Sequence, residues 1–105
     1  MTREWYVYIL QCSDASYYTG ISSDPMARLA EHNEGGEHHA YTFPRRPVRL
    51  VWVEGFPERQ AALDREHQIK GWSRVKKAAL IRGDWERVHT IVSDERRRRE
   101  TSRGT

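Results

Sequence analysis

From Trp5 to Cys12 the chain reads WYVYILQC, with apolar residues at neighbouring positions and no regular polar alternation. A run that is apolar on both faces and rich in aromatic and β-branched residues predicts a strand covered on both sides. Ser13-Asp14-Ala15-Ser16 is turn chemistry, and YYTGI at residues 17–21 predicts a second strand, so the two form a hairpin. Gly20 inside that strand marks a bulge or a close backbone approach. Ser22-Ser23-Asp24-Pro25 starts a helix, with a capping side chain followed by proline at the first helical position. That helix, MARLAEHN, stops near Asn33, ahead of Gly35-Gly36. A loop over 34–47 holds His38, His39, Tyr41, Arg45 and Arg46, and VRLVWVE at 48–54 predicts a third strand. Pro57 opens a second helix that runs to about Lys70. Gly71-Trp72-Ser73 breaks the chain, Ser73 caps a third helix reaching Arg82, and WERVHTIV predicts a short last helix. The order β-β-α-β-α-α with short connections predicts an α+β domain on a small antiparallel three-stranded sheet flanked by helices.

The 105 residues are enough for one domain, expected over 1–93, and the hydrophobic fraction of 37% leaves the aromatics to supply much of the core. The stretch from Asp94 has no apolar residue, and a disordered basic tail over 94–105 is expected. No apolar run approaches the roughly 20 residues that cross a bilayer. The start MTREWY has no apolar leader segment, and the lone Cys12 has no partner for a disulfide, so a reducing cytoplasm is expected. A single cysteine also excludes every cysteine-pair zinc pattern. The net charge of +3 tilts only mildly toward a polyanionic partner.

Several residues resist a purely architectural explanation. On the second helix, Ala62, Leu63 and Ile69 form an apolar stripe, and Glu66 falls inside it. A buried carboxylate must be compensated. An ion pair with Lys70, or with Arg59, is the ordinary solution and the favoured one on helix geometry alone. A hard divalent cation is the other. Arg28 and His32 lie four residues apart and share a helix face. They form either a solvated pair or an anion site, in which arginine supplies a fork of donors suited to phosphate. Tyr6, Tyr8, Tyr17 and Tyr18 are good strand residues for which packing is the default role. The hydroxyls of Tyr8 and Tyr18 converge only if both face one side, and the pattern does not set the hairpin register. His38 and His39, adjacent in a glycine-flanked loop, diverge too far to chelate one ion. The run Arg96–Arg99 is a solvated tail that adds at most non-specific phosphate affinity.

In this order the residues resemble the GIY-YIG nuclease superfamily. Tyr6-Val7-Tyr8 stands at the first tripeptide, Tyr18-Thr19-Gly20 at the second, and Tyr8 and Tyr18 are ten residues apart. Arg28, His32, Tyr41-Thr42 and Glu66 follow in family order, and residues 4–86 are similar to the small stand-alone bacterial, YhbQ-like branch. They are also similar to the nuclease domain of structure-specific, junction-cutting enzymes. The departures are Tyr6 for glycine, Thr19 for the central isoleucine or valine, and GGEHHAYT where a Gly- and Lys-rich loop is usual. The resemblance implies a DNA endonuclease, structure-specific and linked to repair or recombination, that uses one Mg²⁺ or Mn²⁺ held by Glu66. It implies Tyr8 as general base, Tyr18 orienting water or phosphate, Arg28 stabilising the developing charge and His32 assisting proton transfer. Gly20 would let nucleic acid approach the backbone, and His39, Tyr41, Arg45 and Arg46 would contact it. A protein partner could supply targeting. The alternative is a module that binds nucleic acid with little or no cleavage.

Overall fold

The computed structural model describes residues 4–36 and 40–83. His38 and His39, the expected last helix and the expected tail lie outside them. The chain divides into two compact units, Met1–Gly71 and Trp72–Thr105.

The first unit is built on a three-stranded antiparallel sheet in the order β2-β1-β3. β1 spans Trp5–Gln11, β2 Tyr17–Ser22 and β3 Arg49–Phe56. β1 lies at the centre, which explains its lack of polar alternation. Val7 and Ile9 project to one face and Tyr8 and Leu10 to the other, and all four are buried. Cys12 leaves the strand and begins the turn: its N–H donates to the Ser16 carbonyl at 2.8 Å. Asp14 Oδ1 accepts from the Ser16 backbone and hydroxyl, and Ala15 takes a positive φ of 68°. β3 begins one residue later and ends two residues later than the pattern suggests. Val51 is an extra residue in its pairing with β1, where Ile9 faces Trp52 and Leu10 faces Leu50.

α1 spans Pro25–Glu34, with Asp24 accepting from the Ala27 N–H as its N-cap and Gly35, at φ 76°, closing its C-terminus. Leu29 from α1 joins Tyr8, Leu10, Cys12, Val48, Tyr18 and Leu50 in one apolar cluster. The Asn33 side chain then works like a strand backbone: its amide donates to the Val48 carbonyl at 2.9 Å and accepts the Val48 N–H at 2.7 Å. The loop that follows contains a 3-10 turn, Phe43–Arg45, which the sequence pattern does not reveal. α2 spans Arg59–Lys70 and packs on the sheet. Pro57 stands two residues ahead of it instead of opening it. In the second unit Ser73 caps α3, Arg74–Ile81, by accepting from the Lys76 N–H, and the Lys76 ammonium lies 4.3 Å from the centre of the Trp72 indole. No helix among the described residues is long and apolar enough to cross a membrane.

Candidate active site

The hairpin register answers the question that the sequence leaves open. Tyr8 pairs with Gly20 and Leu10 with Tyr18, so both tyrosines project from the same face. Their ring centres are 6.4 Å apart. Gly20 is the space that makes this possible. A Cβ there would sit 2.5 Å from the Tyr8 hydroxyl oxygen and 2.6 Å from Cζ. The glycine thus accommodates the Tyr8 phenol, a use distinct from the approach of nucleic acid that the motif implies.

Tyr8, Tyr18, Arg28, His32 and Glu66 line one open cleft of about 530 Å³. β1, β2, α1 and α2 each contribute. Glu66 lies on the buried side of α2 with Ala62 and Ile69, as its place on the apolar stripe requires. Its side chain is 6% exposed, and Oε1 is 2.5 Å from the ammonium of Lys70, which is 54% exposed. Lys70, and not Arg59, is therefore its partner. The Arg59 guanidinium instead lies 5.4 Å from the centre of the Trp5 ring. Arg28 pairs with Glu31 at 3.2 Å, with both side chains substantially exposed at the cleft. The His32 ring meets Tyr18 edge-on at 5.1 Å, and its Nδ1 is 2.6 Å from the Thr42 hydroxyl. Thr42 is fully buried.

A stack extends from this group. Tyr41 lies nearly parallel to Tyr18 with centres 6.4 Å apart, and Arg45 covers the Tyr41 ring at 3.9 Å. Arg45 also donates to the Tyr41 carbonyl and to Asp14. Arg46 stands apart from the cleft. It covers the Phe43 ring and donates to the carbonyls of Phe43 and Asn33. Tyr41 and Arg45 thus adjoin the site through Tyr18, Arg46 holds the loop together, and His39 lies outside the described residues. Thr42 lines the cleft without having been assigned a role of its own from sequence, and Lys70 lines it as the ion-pair partner that helix geometry favoured for Glu66. The polar Thr42 beside Tyr41 is a weak signal. The Glu66–Lys70 spacing is a stronger one.

Burial is the main cause that pushes the Tyr8 phenol above its ordinary pKa. Negative charge on Tyr18, Glu66 and Glu31 adds to the shift, and Arg28 opposes it. Tyr8 therefore keeps its proton at neutral pH and brings a protonated phenol to the cleft. A single hard divalent cation fits the donors present. One nearly buried carboxylate faces the cleft among phenol and threonine oxygens, and Mg²⁺ typically takes one or two carboxylates with waters and phosphate oxygens. Among the described residues no three His, Cys, Asp or Glu side chains gather into an all-protein metal cage. A cation there would depend on Glu66 and on the bound phosphate.

The family model described as the GIY-YIG catalytic domain matches residues 4–79. The chain belongs to this family. Its relatives include a UPF0213 protein of Haloquadratum walsbyi, 53% identical over 71% of this chain and 83% of its own length. A UPF0213 protein of Staphylococcus aureus is 47% identical over 73% of this chain and 93% of its own length. The solution structure of protein EF2693 from E. faecalis aligns with a TM-score of 0.54 at 34% identity, covering 76% of this chain and 84% of that one. None of these names specifies a reaction. The GIY-YIG match places the chain in a nuclease superfamily, with nucleic acid as the class of substrate.

Proposed function

We propose that this GIY-YIG chain is a metal-dependent endonuclease that hydrolyses DNA phosphodiesters, favouring branched or otherwise distorted substrates met in repair or recombination. The observation that carries this reading is the convergence of Tyr8, Tyr18, Arg28, His32 and Glu66, drawn from four elements, on one open cleft. Hydrolysis needs a positioned phosphate, an attacking water and a group to meet the charge that develops on phosphorus. Arg28, exposed at the cleft, meets that charge. Tyr18 and His32, locked edge to face, orient the water and the phosphate. Glu66 would hold a Mg²⁺ or Mn²⁺ ion, which would supply Lewis-acid polarisation and a positive charge opposing those that hold the Tyr8 proton. With such a charge beside it, Tyr8 would release its proton to solvent and serve as general base toward the attacking water. Preference for distorted DNA rests on the modest charge of +3, which gives limited affinity for regular duplex. A reducing cytoplasm belongs to this reading, because the sole cysteine, Cys12, is a buried free thiol.

A second reading, a nucleic-acid-binding module with weak cleavage, is favoured by one pair of observations. Glu66 is already neutralised by Lys70, and Tyr8 holds its proton firmly. Cleavage of plasmid, single-stranded and branched DNA with Mg²⁺ or Mn²⁺ separates the two. In the nuclease, Glu66→Ala and Tyr8→Phe retain DNA binding and lose activity by about 100-fold or more. Wild-type protein that binds branched DNA yet leaves it intact would establish the binding module instead.

A further inference from the structure

We propose that Lys70 is a built-in counter-ion that occupies, on Glu66, the place a divalent cation takes when nucleic acid arrives. It thereby keeps the affinity for free metal low. The proposal rests on the reading of Glu66 as the metal ligand.

The two partners are unlike in burial. The Glu66 carboxylate is fixed, at 6% exposure, while Lys70 is 54% exposed on a flexible four-carbon stem. The pair is one helical turn apart with Glu N-terminal to Lys, the better orientation for an ion pair on a helix. Both residues line the cleft, so the ammonium meets Glu66 at the cleft. The other ion pairs differ. Arg65–Glu54 and Arg45–Asp14 do not line the cleft, and Arg28–Glu31 does so with both partners exposed. Of these four pairs among the described residues, Glu66–Lys70 is the one that joins a nearly buried carboxylate to a movable cation at the seat a metal would use.

A buried carboxylate without compensation is costly, so Glu66 needs a cation beside it. A metal ion entering must push the ammonium aside and leave it beside a like charge. A DNA phosphate changes this balance, because it offers the displaced ammonium a new anionic partner. Lys70 then serves first as a guard of Glu66 and afterwards as a phosphate contact. Metal and nucleic acid consequently bind together more readily than either binds alone.

The test is calorimetric titration of MnCl₂ into full-length protein without DNA. Lys70→Met is expected to bind Mn²⁺ about tenfold more tightly than wild type, because one like charge in contact with the seat is gone. Lys70→Arg is expected to match wild type, and Glu66→Gln to lose the binding. Lys70→Met should also melt at a lower temperature without metal and gain more from Mn²⁺ than wild type does. If Lys70→Met fails to fold, Lys70→Gln gives the same readout. Mn²⁺ affinity that depends on Glu66 but is unchanged or weaker without Lys70 overturns the counter-ion role alone. Identical titrations for Lys70→Met and for the double variant Lys70→Met/Glu66→Gln overturn the metal seat, and this proposal with it.

Discussion

Burial, together with the charges of Tyr18, Glu66 and Glu31, makes the folded protein hold the Tyr8 proton more tightly than the unfolded chain does. A tyrosine in the unfolded chain ionises near pH 10.0. Above that pH the folded state binds more protons than the unfolded one, so this contribution to stability is complete below pH 10 and is lost as the pH climbs. Urea denaturation at stepped alkaline pH should therefore show wild type losing stability more steeply above pH 10 than Tyr8→Phe. Equal slopes would mean that Tyr8 ionises like an exposed tyrosine. At this scale the sequence was informative about identity and silent about partners. Tyr8, Tyr18, Arg28, His32 and Glu66 were all legible as candidates, and Glu66 declared itself by sitting on an apolar stripe. The contact between His32 and Thr42 was not legible. It joins α1 to a loop ten residues further on, and no periodicity links the two. The role of Gly20 was also hidden, because it depends on which residue the register places opposite.

Among the elements, α1 shows how a local signal sets the site. Asp24 caps the helix and Pro25 starts it, so the first turn is positioned by the residues themselves. Arg28 and His32 follow on that frame. Asp24→Ala removes the bond to the Ala27 N–H and should cost about 1 kcal/mol, read as a lower urea midpoint with an unchanged slope. An unchanged midpoint would mean that tertiary packing alone holds the helix start. Both ends of α1 and the cap of α3 were readable because capping chemistry is local. Pro57 misled because its rigid φ suits a helix start and an extended connector equally. The 3-10 turn over Phe43–Arg45 escaped notice because its bonds run over only three residues and leave no apolar period. The length of β3 was underestimated for a related reason: Gly55 and Phe56 continue the ladder opposite Tyr6 and Trp5, which only the pairing reveals.

For the molecule as a whole, a net charge of +3 on 105 residues gives little general attraction for DNA, so each cleft cation should carry a visible share. Binding of a branched duplex, measured against salt, should weaken with a slope that Arg28→Ala makes less steep by about 0.9 on a log–log plot. A slope unaltered by that change would remove Arg28 from phosphate contact. The fold class was legible throughout, since hairpin, helix and strand each announced themselves and their order pointed to an antiparallel sheet. The cleft emerged only when the strands were paired, because a two-residue period says which residues share a face and not which face meets which. One consequence concerns how such a cleft is inherited. The phenol of Tyr8 fills the hollow left by Gly20, so neither position is free to change alone. A larger residue at 20 evicts the ring, and a smaller one at 8 leaves a void and discards the hydroxyl. The two positions form one mutational unit split between two strands, and a lineage that changes one is expected to change the other with it.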